Sequence, residues 1–285
     1  DRISEEAVLE WLEQHWPREW PLELVMEGLP TGRTTVPRGT PVEATRLVCI
    51  IDPIDGTRGL MYDKRSAWIL AAVAPQRGGK TSLRDIVAAA MTEVPTSKQD
   101  RADQFSAVLG EGVKATRCDL RTGRQRALPV RLSRATQFDH GFVSFARFFV
   151  TGKVLTARIE EAFWRRLRGT SRDDGALVFE DQYISTGGQL AELLLGHDRM
   201  IADLRPLVHA RLRRPTALAC HPYDICTELI LREAGGVVES PDGRRLDVPL
   251  DTETPVAWVA FANPRLARLA RPALRAALRG ELLKG

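Results

Sequence analysis

The clearest chemical signal in the chain is residues 52–57, with the sequence DPIDGT. Asp52 and Asp55 follow a short apolar segment and stand only three residues apart, with a proline fixing the turn between them. Carboxylate oxygens are the ligands that a hard cation such as Mg²⁺ prefers. The peptide N–H groups of Gly56 and Thr57 would suit a phosphate oxygen in the same space. The alternative is an ordinary surface turn, because Asp, Pro and Gly are common turn residues.

Two further acidic residues gain meaning only beside this motif. Asp224 stands at the head of a predicted helix over residues 224–234, which ends at a pair of glycines. Taken alone, Asp224 is best explained as a helix-capping residue. Glu27 follows the short apolar segment Leu22–Met26, and taken alone it is a solvated surface residue. The order of all three features along the chain is more specific than any one of them.

In that order, the chain resembles the inositol monophosphatase and fructose bisphosphatase superfamily of Mg²⁺-dependent phosphatases. The resemblance covers nearly the whole chain: a first helix, Glu27, DPIDGT, two strands, a Ser-x-Gly sequence at residues 185–187, then Asp224 and the sequence EAGG. It implies an α/β protein in a layered α-β-α-β-α sandwich. The implied reaction is the hydrolysis of a small phosphate monoester by a metal-activated water.

The resemblance also implies a role for each residue that matches the family motifs. The implied ligands of two or three Mg²⁺ ions are Glu27, Asp52, the backbone carbonyl of Ile54, Asp55 and Asp224. The implied phosphate and substrate contacts are Gly56, Thr57, Ser185 and Gly187. The implied catalytic residues are Asp1, Thr57 and Glu27, with Asp1 and Thr57 orienting and deprotonating the water.

Departures from the family pattern leave the substrate open. The family shows Gly-Glu-Glu at the first metal ligand, whereas here Glu27 is followed by Gly28. Ala217 stands where inositol-specific members carry a Glu that contacts ring hydroxyls, so we expect a substrate other than inositol monophosphate. If the arginines of residues 205–214 fold over the cleft, they would favour a substrate with a second anionic group. The alternative is that this segment lies on the surface and its arginines are solvated. The alternatives are a 3′(2′),5′-bisphosphate nucleotidase, a histidinol-phosphate phosphatase, a fructose-1,6-bisphosphatase, or a non-catalytic member acting as a binding module.

Strands and helices must bring these distant residues together. Continuously apolar segments predict strands at residues 47–51, 68–74 and 86–91 that are covered on both faces. The second half alternates helices and short strands, which is typical of α/β layers. We place a boundary near residue 135. This gives an α+β N-terminal lobe (1–135) with most metal ligands and an α/β C-terminal lobe (136–285) with the last one.

Charge and composition argue against several other classes of function. Lys and Arg number 41 against 37 Asp and Glu, and a net charge of +4 is too small to indicate a nucleic-acid binder. No apolar run approaches the roughly 20 residues of a membrane helix. The four cysteines lack zinc-ligand spacing, which predicts reduced thiols and a cytoplasmic protein. We therefore expect a small phosphorylated metabolite as partner, no nucleic acid or membrane, and a homodimer.

Overall fold

The chain forms a mixed α/β protein, as its alternating elements predicted. The structure, a computed structural model, describes residues 2–169, 177–214 and 218–282. The helices are α1 (Arg2–His15), α2 (Thr57–Met61), α3 (Lys153–Arg168), α4 (Thr186–Leu194), α5 (Arg205–Arg211), α6 (Pro222–Ile225), α7 (Glu228–Glu233) and α8 (Pro264–Leu282). The strands of the first half are β1 (Leu22–Met26), β2 (Arg33–Val36), β3 (Leu47–Asp55), β4 (Ala67–Pro75), β5 (Ala88–Val94), β6 (Arg101–Val108), β7 (Gly112–Asp119) and β8 (Gln125–Ala127). Those of the second half are β9 (Gly141–Phe145), β10 (Val178–Phe179), β11 (Asp198–Asp203), β12 (Val237–Glu239) and β13 (Trp258–Phe261).

Two sheets organise these strands. The first sheet has the order β2-β1-β3-β4-β5-β6-β7-β8, and the second has the order β10-β9-β11-β13-β12. In the first sheet β1 and β3 run parallel, and every other neighbouring pair is antiparallel. In the second sheet β9 pairs in parallel with β10 and β11, whereas β13 is antiparallel to both its neighbours.

Helices cover both sheets in layers. Helix α1 packs on the first sheet, where Leu12 joins a small apolar cluster with Leu24 and Cys49. Helices α4 and α7 contact strands of both sheets and so lie between them, while α3 packs on α8, which contacts β13 of the second sheet. This is the α-β-α-β-α layering that the resemblance implied. Within the described residues, no helix combines the length and the apolar character needed to cross a membrane.

Three local elements differ from the sequence prediction. Strand β3 does not stop before the DPIDGT motif but continues through it to Asp55. The helix expected over residues 224–234 is broken into α6 and α7 at Cys226 and Thr227. The Pro-, Gly- and Thr-rich residues 29–41 are of a composition that predicts a loop, but they contain strand β2, because its backbone pairs with the buried strand β1.

Helix α4 approaches its neighbours closely enough to require glycine. A Cβ at Gly188 would lie 2.4 Å from ring atoms of Tyr183. The Tyr183 ring cannot easily move away, because its hydroxyl lies 2.7 Å from Ser66 Oγ and accepts a hydrogen bond from Trp68 Nε1 at 3.2 Å. The N-terminal turn of α4 is therefore fixed against the first sheet.

We predict that Gly188→Ala destabilises the protein by about 1–3 kcal/mol, the usual range for overpacking a core, although Ala is the better helix former. Chemical denaturation measures this change. The matched control is Gly79→Ala, because a Cβ at Gly79 has nothing within 4 Å. Equal stability of the two variants would show that the contact between α4 and Tyr183 is loose.

Candidate metal and phosphate site

A bulge in β3 turns two carboxylates toward one place. Asp52 pairs with Leu70 of β4 and Asp55 pairs with Trp68, so the register shifts between the two acidic residues. The N–H of Ile54 donates to Asp52 Oδ1 at 3.0 Å, and the Thr57 hydroxyl donates to the Ile54 carbonyl at 3.0 Å. These local bonds hold the motif in one conformation.

Asp224 completes a compact acidic cluster with these two residues. One carboxylate oxygen from each of Asp52, Asp55 and Asp224 lies within 4.8 Å of the other two. Asp52 and Asp55 are buried, whereas Asp224 is partly exposed. Three oxygen donors at this separation fit the preference of a hard divalent cation, and no lysine or arginine forms an ion pair with them among the described residues.

Helix α4 supports Asp55 from behind. Ser185, the N-cap of α4, donates its hydroxyl to Asp55 Oδ2 at 2.9 Å, and the Gly187 N–H donates to the same oxygen at 2.6 Å. Ser185 Oγ also accepts the Gly188 N–H at 2.9 Å, so its orientation is fixed. The Ser-x-Gly sequence therefore holds an acidic side chain through hydrogen bonds that link β3 to α4.

Asp224 is held by the turn that begins its helix. The His221 N–H donates to Asp224 Oδ2 at 2.6 Å, and the His221 ring stacks on Tyr223 with centroids 5.5 Å apart. His221 Nδ1 lies 3.7 Å from the same carboxylate. Glu27 interacts electrostatically with Asp224. Partial burial and the charge of Asp224 both raise the pKa of Glu27.

Burial and repulsion between neighbouring carboxylates dominate the pKa values of the two buried acidic residues. Burial and the neighbouring charge of Asp224 raise the pKa of Asp55 to about 7, although the hydrogen bonds from Gly187 and Ser185 lower it. Burial and the charges of Asp55, Asp224 and Glu27 raise the pKa of Asp52 well above its usual value. Like charges in a dry site favour protonation unless a cation enters.

The cluster opens into a cavity of about 320 Å³. The residues expected at the site from sequence that line this cavity are Glu27, Asp52, Ile54, Asp55, Gly56, Thr57, Ser185 and Asp224. Gly187 does not line it, because it is buried behind Asp55. Asp1 and Ala217 lie outside the described residues. Gly56 has a φ of +94°, and a Cβ there would lie 2.9 Å from Ser185 Cβ, so the turn requires glycine.

A larger cleft of about 990 Å³ lies elsewhere, lined mainly by residues 130–136 and by residues near the start of α8. It carries three arginines and no acidic side chain among its lining residues. The smaller cavity, in contrast, combines acidic oxygen donors with the peptide groups of Gly56 and Thr57.

Several lining residues were missed by the sequence analysis. Residues 142–149 form an apolar run in the sequence, and β9 ends within this run at Phe145, so Phe148 and Phe149 lie beyond the strand and line the cavity. Of the arginines in residues 205–214, only Arg205 lines it, and Asp203 already pairs with its guanidinium. The apolar run was visible in the sequence, but nothing in it indicated which residues lie beyond the strand.

Two arginines that follow the DPIDGT motif, Arg58 and Arg65, have different surroundings. Arg58 is exposed and lines the cavity, and no ion pair to it occurs among the described residues. Arg65 instead pairs with Asp181 and stacks on the Tyr183 ring at 4.8 Å. Arg58 is thus the residue of this group that is placed to attract an anion into the cavity.

We predict that Asp55 destabilises the metal-free protein as the pH rises. Its folded pKa of about 7 lies above the ordinary value of 3.8, so the folded state holds this proton more tightly. The stability is present below pH 3.8 and is lost as the pH rises through about 7, by up to about 4 kcal/mol. In EDTA, Asp55→Asn should therefore unfold at a higher temperature than wild type near pH 8, with little difference near pH 4.

The control for this prediction is Asp63→Asn, because Asp63 is partly exposed and its pKa is lowered by Ser97. A variant Asp55→Asn that is less stable than wild type at the higher pH would contradict the account of an uncompensated acidic cluster.

Comparison by sequence finds no match, whereas comparison by structure does. No protein-family model and no curated protein matches the chain by sequence. Solved structures do match. The extragenic suppressor protein SuhB of Bartonella henselae is 16% identical with a TM-score of 0.63, covering 96% of this chain and 83% of that chain.

Two further structures agree with the first. The fructose-1,6-bisphosphatase of Leishmania major is 13% identical with a TM-score of 0.65, covering 97% of this chain and 81% of that chain. A Pyrococcus horikoshii protein described as having similarities to inositol-1 monophosphatase is 14% identical with a TM-score of 0.60, covering 96% and 82%. At these low identities the matches show a shared fold, which the TM-scores of 0.60–0.65 establish. The chain therefore has the fold of the inositol monophosphatase and fructose bisphosphatase superfamily, which its motifs implied.

Proposed function

We propose that this protein is a metal-dependent phosphatase that hydrolyses a small phosphate monoester. The observation that carries the proposal is the convergence of Asp52, Asp55 and Asp224 within 4.8 Å, beside the peptide groups of Gly56 and Thr57. A metal site without a substrate pocket would need no such neighbours. The match to phosphatase structures over nearly the whole chain supports the same reading at the level of the fold.

The chemistry of the donor set favours Mg²⁺. The four carboxylates of Glu27, Asp52, Asp55 and Asp224, together with the Ile54 carbonyl, are oxygen donors, and no cysteine or histidine ligand lies among them. Bound divalent cations at such a site supply charge neutralisation and acidify a water molecule. The raised pKa values of Asp52 and Asp55 fit residues that ionise fully only when a cation is present.

The remaining residues would then position the reactants. The N–H groups of Gly56 and Thr57 lie at the start of α2, where first-turn N–H groups have no acceptor within the helix, and we assign them to the phosphate oxygens. Arg58 at the rim adds a positive charge for the incoming dianion. Asp1 and Thr57 orient the attacking water in this proposal, as the family resemblance implies.

The proposed reaction is an in-line displacement at phosphorus. The water oxygen forms a bond to phosphorus while the ester P–O bond breaks, one water proton ends on the departing alcohol oxygen, and the other stays on the hydrogen phosphate. No covalent enzyme intermediate is required, because positioning and charge stabilisation account for most of phosphoryl-transfer catalysis. A homodimer and a cytoplasmic location stay predictions from the sequence.

We predict that Asp52→Asn lowers phosphate release at least about 100-fold, which corresponds to about 2.7 kcal/mol in the barrier. The variant should still fold, because Asn keeps an oxygen that accepts the Ile54 N–H. Phosphate release with Mg²⁺ is measured over inositol 1-phosphate, fructose 1,6-bisphosphate, histidinol phosphate, adenosine 3′,5′-bisphosphate and simple alkyl phosphates. Asp242→Asn, in an exposed turn with Ser240, is the matched control.

The non-catalytic alternative makes a different prediction for the same proteins. Under that alternative Mg²⁺ raises the melting temperature by binding the folded state, but no ester in the panel releases phosphate. Activity that survives in Asp52→Asn, or that ignores EDTA, would contradict the metal-dependent proposal.

A further inference from the structure

Besides its carboxylates, the cavity has an apolar and partly aromatic lining. Phe148, Phe149, Ile184, Leu218 and Ala219 all line it. The rings of Phe148 and Phe149 meet edge to face, with centroids 5.1 Å apart at 78°. Both phenylalanines are half-buried, so each presents part of its ring to the cavity. We call Phe148, Phe149 and Leu218 the aromatic wall.

Arg205 holds this wall in place rather than offering a free charge. Its guanidinium carbon lies 4.5 Å from the Phe148 ring centroid and 5.3 Å from that of Phe149. Arg205 Nε donates to both Asp203 oxygens, at 2.8 and 3.1 Å, and its Nη1 donates to the Leu218 carbonyl. Arg205 is only 8% exposed and Asp203 is fully buried, so the pair is fixed and its charges cancel.

The polar side chains of the cavity are also largely occupied by the fold. Ser185 bonds Asp55 and Gly188, and the Thr57 hydroxyl donates to the Ile54 carbonyl. Among the described lining residues, the donors that make no hydrogen bond are the Thr186 hydroxyl, which is neutral, and the Arg58 guanidinium, which is cationic. A polyol brings several hydroxyls, and each one buried without a partner costs roughly five- to 150-fold in affinity.

We propose that the alcohol part of the substrate is aromatic or otherwise apolar, and that it packs on the aromatic wall. The inference rests on the proposed function, because it places the phosphate at the acidic cluster and the ester oxygen beside it. Aromatic rings gain from large buried area and from edge-to-face contact, and the half-buried pair of phenylalanines offers both. A sugar or inositol ester would place hydroxyls against the same apolar side chains, which offer them no hydrogen-bond partner.

The test compares two esters of primary alcohols whose leaving groups are chemically alike. With Mg²⁺, the kcat/KM of wild type for 2-phenylethyl phosphate should exceed that for glycerol 1-phosphate at least tenfold, mainly through KM. Phe149→Ala and Phe148→Ala should bring the ratio near one. Phe149→Leu, which keeps apolar volume and the fold, should give an intermediate ratio.

The matched control is Phe142→Ala. Phe142 is an exposed phenylalanine on β9 that contacts Phe179 and does not line the cavity, so this variant should keep the wild-type ratio. A wild-type ratio of one or less, or a ratio that the wall variants leave unchanged, would overturn the inference while leaving the phosphatase proposal intact.

Direct binding separates the two proposals if neither ester is hydrolysed. The probes are 3-phenylpropylphosphonate and 3,4-dihydroxybutylphosphonate, in which a CH₂ group replaces the ester oxygen so that water cannot split them, and their binding is measured by calorimetry with Mg²⁺. Tenfold tighter binding of the aromatic phosphonate, lost in Phe149→Ala, would support the aromatic wall even though the proposed hydrolysis had failed. Equal binding of the two phosphonates, or binding of neither, would overturn it.

Discussion

Asp52, Asp55 and Asp224 bring three carboxylate oxygens within 4.8 Å of one another, and the surrounding structure must make that placement tolerable. Two of these residues are buried, so water does not screen their mutual repulsion. The three carboxylates accept hydrogen bonds from N–H or hydroxyl groups of Ile54, Ser185, Gly187 and His221. Among the described residues, no lysine or arginine forms an ion pair with them. The N–H and hydroxyl donors fix the carboxylates in position without neutralising them, which leaves their charge available to a cation.

The same hydrogen bonds make the site depend on how the two sheets pack. Asp55 belongs to the first sheet, whereas its donors Ser185 and Gly187 lie on α4, which packs between the sheets. Tyr183, just before α4, bonds Ser66 and Trp68 of the first half. A change in the position of α4 would therefore move Asp55 relative to Asp224. The packing of α4 between the sheets therefore determines both the stability of this layer and the geometry of the acidic cluster.

The sequence singled out Asp52, Asp55 and Asp224 because they stand in motifs with recognisable order and spacing, and the structure brings their carboxylates together. Its local details were less predictable. The strand was expected to end before Asp52, but pairing with β4 continues past a bulge to Asp55, and pairing with a distant strand leaves no mark in a short segment. The helix after Asp224 breaks at Thr227, a buried residue whose hydroxyl makes no hydrogen bond within the described part of the chain, and neither propensity nor capping signals indicated that break.

Contacts that decide the substrate were the least predictable. Phe148 and Phe149 lie about 57 residues before Arg205 and about 70 residues before Leu218 in the sequence, and only packing brings them together. Arg205 belonged to a segment whose arginines were expected either to face the substrate or to be solvated. Asp203, two residues earlier, instead turns its guanidinium inward, and a charge count cannot show that pairing.

Anomalous diffraction from crystals grown with Mn²⁺, a divalent cation that also prefers oxygen ligands, tests the central claim most directly. The account predicts at least one strong peak in coordination contact with Asp52, Asp55 and Asp224, and its loss in Asp52→Asn crystals whose fold is unchanged. A fully folded wild-type crystal with no peak at these three carboxylates, at a metal concentration that saturates other Mg²⁺-dependent phosphatases, would contradict it.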